Sequence, residues 1–114
     1  MLRQRKPRLS DPGYLAWLRM QRCACGCHQG PPCDAAHLRA ASFVHGKSSG
    51  MGQRPDDKWA LPLKHMHHMA QHYSGNELEW WAAHGVDDPF ALCIDYYRRY
   101  KNITGATNGG PEET

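Results

Sequence analysis

At 114 residues, 40% of them apolar and 22% charged, the chain has the length of one small domain, which excludes a large multidomain enzyme. Eleven glycines and eight prolines make it loop-rich, so its core is small and some further cohesive element is expected. Net charge is only +3, no stretch approaches the ~20 apolar residues of a membrane span, and no apolar segment follows the basic start MLRQRKPRLSD, which together predict a soluble, non-exported, cytoplasmic protein.

Residues 1–10 read as a basic, flexible arm without periodicity. Asp11-Pro12 has the form of an N-cap followed by proline in the first helical turn, opening a helix to about Arg22 with Leu15 and Leu18 facing inward. The Ala-rich run from Cys33 to about Ala41 is open to helix or strand, and its place between Pro31-Pro32 and a Gly/Ser loop favours a short strand. Residues 42–57 (SFVHGKSSGMGQRPDD) read as a loop, and KWALPL (58–63) as a second strand with Pro62 at a sheet edge. KHMHHMAQHY then predicts a ten-residue helix with His65, His68 and His72 at i, i+3 and i+7. Ser74 to Glu77 has capping-box spacing before LEWWAAH, which Gly85 ends. Asp88-Pro89 opens a last helix with an apolar stripe of Phe90, Cys93, Ile94, Tyr97 and Tyr100, and residues 102–114 read as a polar, flexible tail.

Charge is unevenly spread. Residues 1–64 hold eleven Lys/Arg against four Asp/Glu, a local +7, while residues 65–114 hold three against seven, a local −4. The basic part is where a polyanion would sit, although a solubilising surface explains the charge equally well. Cys23, Cys25, Cys27 and Cys33 crowd together beside His28, and in a non-secreted chain such crowding points to metal rather than disulfides. His68 and His72, four apart on a helix, project from one face and can share one metal ion; surface histidines on a polar face are the plainer alternative. Trp80-Trp81 and Tyr96, Tyr97 and Tyr100 fit a core better than a base-stacking platform.

The order of the parts narrows the reading: a strand bearing a histidine (DAAHLR), a Gly-rich basic loop ending in acids (GMGQRPDD), a short strand ending in LPL, and a helix with HHxxxH. This resembles the ββα-metal, or HNH, nuclease motif. More narrowly, the run from CDAAHLRA through NELEWWAAHGVDDPF is similar to the small HNH nucleases of temperate phages and prophages, a group that includes the RecA-dependent phage recombination nuclease. The resemblance implies an α+β fold with a ββα-metal motif flanked by helices over residues 11–101. It also implies a metal-dependent DNA endonuclease or nickase, phage or prophage encoded, acting in DNA recombination or processing with DNA and a recombinase filament as partners.

Carried onto this chain, the resemblance makes His37 the general base that takes a proton from the attacking water and Asp57 the residue that orients its imidazole. His68 and His72 would hold or adjoin one divalent metal, whether magnesium, manganese, nickel or zinc. The chemistry is coherent, because phosphodiester hydrolysis needs an activated in-line nucleophile and charge relief on the leaving oxygen. Imidazole suits the base role, with an ordinary pKa of about 6.5.

The chain departs from the family pattern in two places. HNH proteins often place another metal ligand just before the base, where this chain has Ala36. Asp34 is the nearest carboxylate and is taken as the third ligand through a bent strand, although strict alternation puts it on the face opposite His37. The other course is two histidines completed by phosphate oxygens and water. Many HNH proteins also brace the motif with two CxxC pairs, whereas here the helix-side positions are Lys64 and His67 and the N-terminal cluster is CACGC. A structural zinc is expected on two thiolates from Cys23, Cys25 and Cys27 with His67 and with His65 or Cys33; a degenerate, metal-free knuckle is the alternative.

Phosphate contacts are expected from Arg39, Lys47, Arg54 and Lys58 and from Arg3, Arg5, Lys6 and Arg8 of the arm, which would position a duplex without reading its sequence. The competing reading is a non-catalytic, zinc-stabilised nucleic-acid-binding protein.

Overall fold

A computed structural model describes residues 10–42, 44–47 and 56–104. The arm residues Arg3, Arg5, Lys6 and Arg8, the loop residue Arg54 and the tail from residue 105 onward lie outside the described residues.

Helix α1 (Pro12–Arg19) starts where the Asp11 carboxylate accepts the Tyr14 amide (3.2 Å) and Pro12 fills the first turn, whose orphan N–H positions tolerate it. It stops about one turn short of Arg22. The Arg19 carbonyl instead accepts the Cys33 amide (2.9 Å), so the chain leaves the helix and folds into the cysteine-rich loop. Strand β1 (Asp34–His37) occupies the Ala-rich run, shorter than expected. After it, Ser42 and Lys47 form an isolated antiparallel bridge closing a turn in which Gly46 takes a left-handed φ of 72°.

A single 3-10 turn (Asp57–Trp59) replaces the first residues of the expected second strand, and β2 is confined to Ala60–Leu63. The two strands pair antiparallel, with Asp34 opposite Leu63 and His37 opposite Ala60. Helix α2 (His65–Ser74) follows after one residue and ends at Gly75, whose φ of 77° is left-handed. Helix α3 (Glu77–Ala83) is capped by Asn76, not by Ser74. Ser74 still belongs to the last turn of α2, its hydroxyl donating to the Gln71 carbonyl (2.8 Å), whereas Asn76 Oδ1 accepts the Glu79 amide (3.1 Å). Helix α4 (Pro89–Thr104) is capped by Asp88, which accepts the Ala91 amide (3.1 Å), and it continues through Asn102, Ile103 and Thr104 rather than ending at residue 101.

Every residue of β2 is buried, because the short sheet is covered on both faces. Leu61 and Leu63 join Cys23, Cys25, Leu38, Trp80, Trp81, Phe90 and Cys93 on one side. Ala60 joins Tyr14 and Leu18 on the other, with Trp17, Tyr96, Tyr97 and Tyr100 leaning on them. Each fully buried Leu contributes on the order of 1.5–3 kcal/mol, and few of them stand among the described residues. Trp80 and Trp81 are thus core, and Ile94, expected in the apolar stripe, is 41% exposed. The architecture is α+β, with four helices and a two-stranded sheet among the described residues. Among those residues no helix is long and apolar enough to cross a membrane.

Candidate functional site

Two groups of chemically capable side chains stand on either side of the β2–α2 junction. The first is the cysteine knuckle. Backbone bonds from the Cys23 amide to the Gln29 carbonyl (2.7 Å) and from the His28 amide to the Cys25 carbonyl (3.2 Å) curl residues 23–29 into a tight loop. His28 takes a left-handed φ of 51° to close it. The curl turns all three sulfurs inward: Cys25 Sγ lies 3.3 Å from both Cys23 Sγ and Cys27 Sγ. His67 Nδ1, from the first turn of α2, sits 3.7, 3.3 and 3.5 Å from the sulfurs of Cys23, Cys25 and Cys27.

A tetrahedral zinc with Zn–S near 2.3 Å and Zn–N near 2.0–2.1 Å has S···N edges of about 3.5 Å and S···S edges of about 3.8 Å. The sulfur–nitrogen separations match, and the sulfurs are about half an ångström close. Each sulfur also receives one backbone amide: Cys27 N–H donates to Cys25 (3.4 Å), Gln29 N–H to Cys27 (3.4 Å) and Lys64 N–H to Cys23 (3.3 Å). Such donors favour thiolates and orient metal ligands. Without metal the thiols differ. Burial pushes Cys25 up to about 12, whereas for Cys27 burial is outweighed by the Gln29 amide and the neighbouring thiols, which hold it below the usual thiol range. The four residues could hold a metal ion, and the donor set is zinc-like.

All three cysteines of CACGC contribute here, one more than the two expected. Neither His65 nor Cys33 joins them: His65 turns to Asp34, and Cys33 is buried beside the cluster, burial and then Cys23 raising its pKa. Gly26 lets α3 pack onto the knuckle, since its amide donates to the His84 carbonyl (2.9 Å) and a Cβ there would stand 3.2 Å from that same oxygen.

The second group lines β1. At the strand's end His37 Nε2 lies 2.9 Å from Asp57 Oδ1, and Asp57 is only 2% exposed. The 3-10 turn and the pairing of His37 with Ala60 make this contact, since Asp57 opens the turn that leads straight into β2 at Ala60. The other carboxylate oxygen accepts the Asp11 amide (2.7 Å), and Asp11 Oδ2 in turn accepts the Tyr97 hydroxyl (2.9 Å). Burial, and then the Asp11 carboxylate, push Tyr97 up to about 12, so its hydroxyl keeps the proton that it donates. No local pattern pairs residues 46 or 86 positions apart; Asp11 is legible in the sequence only as a helix cap, and Tyr97 only as core.

At the other end of β1, Asp34 Oδ2 lies 2.7 Å from His65 Nδ1 and 2.9 Å from His68 Nδ1. Burial, which would raise the Asp34 carboxyl, is outweighed by the hydrogen bonds of His68 and His65, which hold it below the ordinary carboxylate range. The His72 ring centroid is 4.9 Å from that of His68. Among the described residues only Cys23, Cys25, Cys27 and His67 bring ligand atoms of three or more residues within 4.8 Å of one another, so Asp34, His68 and His72 are not gathered into the expected three-ligand cluster. Asp34 and His37 are three residues apart, about 10 Å along an extended strand.

Of the expected phosphate-contacting residues, Arg39 is exposed and Lys58 is half-buried, its Nζ 5.3 Å from the Trp59 ring centroid. Lys47 is different. It is only 5% exposed, burial lowers its pKa against the pull of Glu77, Cys93 and Asp56, and its charge is turned inward rather than toward a polyanion. Glu77, read from sequence as a capping-box residue, instead accepts the Arg39 (3.0 Å) and Ala40 (2.9 Å) amides and ties the chain after β1 to the start of α3.

A family model described as "Protein of unknown function (DUF968)" matches residues 1–93, and the chain belongs to that family. The matched stretch includes the cysteine knuckle, both ends of β1 and all of α2. No curated protein and no solved structure matches the chain.

Proposed function

We propose that the chain is a metal-dependent DNA endonuclease or nickase of the HNH, or ββα-metal, type, braced by a structural zinc on Cys23, Cys25, Cys27 and His67. The observation that carries the reading is the 2.9 Å contact of His37 with the buried Asp57 at the end of β1, in a β1–β2–α2 unit whose helix bears His68 and His72. Asp57 has one oxygen occupied by the Asp11 amide and offers the other to His37 Nε2–H. With the proton on Nε2, the Nδ1 lone pair would be left to accept a proton from an attacking water, the tautomer logic of a carboxylate-oriented base.

His68 and His72 would hold a divalent ion, which when bound supplies charge relief on the phosphate and the leaving oxygen. Exposed Arg39 and half-buried Lys58 are suited to meeting the DNA backbone. The zinc-like group contributes folding free energy to a chain with a small core.

Nicking of supercoiled plasmid by the full chain tests the reading. Cutting should require an added divalent ion, stop on mild chelation and return on resupply. A zinc-containing protein that shifts DNA in a gel and never cuts it would instead support the non-catalytic, zinc-stabilised nucleic-acid-binding alternative.

A further inference from the structure

We infer that Asp34 is a positioning residue: its carboxylate accepts Nδ1–H of His68 and so leaves Nε2 of that imidazole, beside His72, as the nitrogen available to a divalent ion. The inference rests on the nuclease reading for the ion's purpose, but not for the hydrogen bond. The bond is direct, since Asp34 Oδ2 and His68 Nδ1 are 2.9 Å apart. An ionised carboxylate only accepts, so the proton of a neutral His68 ring belongs on Nδ1 and the lone pair on Nε2.

The alternative, Asp34 as a metal ligand together with its neighbours, fails on distance. A metal within about 2.2 Å of each donor needs those donors within about 4.4 Å of each other. The three-residue groups that meet even 4.8 Å among the described residues are confined to the cysteine knuckle. His65 and His68 therefore approach the Asp34 oxygen as two separate donors.

Nδ1 and Nε2 point to nearly opposite sides of an imidazole ring, so a His68 anchored through Nδ1 turns Nε2 away from Asp34. His72 is on the same helical face one turn later, its ring centroid 4.9 Å from that of His68, which brings a second imidazole close to the first. His65 does not compete for that role. Its side chain is 73% exposed, and it stands seven positions, about two helical turns, before His72. Carboxylate–histidine–metal relays of this kind fix ring orientation and raise ligand basicity, and losing the outer partner typically costs about 10- to 100-fold in metal affinity.

The test reads the proton directly. Long-range hydrogen–nitrogen NMR correlations of the imidazoles are recorded on the full chain with one equivalent of zinc, at a pH where imidazoles are neutral. In the wild type His68 should show a protonated Nδ1 and a bare Nε2. In Asp34→Ala it should lose that preference, in Asp34→Asn, whose amide oxygen still accepts, it should keep it, and in His65→Ala it should be unchanged. Titration with manganese should then show affinity about 10- to 100-fold weaker for Asp34→Ala and largely restored for Asp34→Asn.

A wild-type His68 protonated on Nε2 overturns the inference, as does an Asp34→Asn variant that keeps the tautomer but binds no manganese, since Asp34 would then be a ligand itself. The wild-type tautomer is readable whether or not Asp34→Ala folds. Correct tautomers and manganese binding in a chain that does not cut DNA would count against the nuclease reading alone.

Discussion

In the knuckle, four donor atoms converge from residues 23–27 and 67, every sulfur is given an amide, and two of the three cysteines are buried. Along β1 nothing among the described residues converges in that way: His37 faces Asp57, and His68 and His65 face Asp34, each imidazole paired with a carboxylate. A closed four-donor set suits a structural ion, whereas histidines held by one nitrogen with the other left free suit proton transfer and an open coordination position. The two regions meet in α2, whose first turn sends His67 to the sulfurs and His68 to Asp34. A single helix thus couples the part that would hold the fold to the part that would act.

The sharpest way to break this division is to remove one sulfur. Cys25→Ser should eliminate bound zinc and leave the chain largely unfolded, because apparent zinc-binding energies in small domains are on the order of 10 kcal/mol and become folding energy. His72→Ala should keep both zinc and most of the melting temperature. Metal analysis with thermal melts on both variants checks this, and equal melting temperatures with no zinc in the wild type would leave the knuckle metal-free.

What was legible beforehand follows the same division. The order of β1, β2 and α2 could be read from Pro31-Pro32, the LPL run and the histidine periodicity, because short-range chemistry sets those elements. Ligand count in the knuckle could not, since CACGC allows two or three inward sulfurs until the loop closes through Gln29. Lys47 reads as a basic loop residue, yet the Ser42–Lys47 bridge draws it inside, and Ser74 lost its cap to Asn76 because Gly75 ends α2 only afterwards. The Tyr97–Asp11–Asp57–His37 chain is wholly tertiary, built where α1, α4 and the 3-10 turn meet.

A smaller effect sharpens the proposed catalytic side. Asp57→Ala deprives His37 of its orienting acceptor and leaves the Asp11 amide unsatisfied in a part-buried place, so it should cost about 1–3 kcal/mol of stability as well as activity. His37→Ala should leave the Asp11–Asp57 contact intact and cost less stability than that. Urea denaturation of the two variants side by side checks the order; a more damaging His37→Ala would place the structural weight on the histidine.

The smallest expected effect lies away from both regions. Asp88→Ala should cost about 1 kcal/mol at neutral pH through loss of the α4 cap. The Ala91 amide and then His45 hold the Asp88 carboxyl below the usual range. A depressed folded-state pKa means that its contribution is complete above the unfolded carboxylate value of about 3.9 and fades as pH falls through the lower folded value. Thermal melts read the cap, and a carbon-13 titration of the Asp88 carboxyl reads the shift; neither should alter zinc content or cutting.

The claim that His37 is the general base is tested most directly by the single-turnover cleavage rate of His37→Ala on plasmid DNA at saturating protein, zinc and divalent ion. The account predicts a loss of about 10²- to 10⁴-fold with DNA affinity and zinc content unchanged. Cutting at the wild-type rate would contradict it.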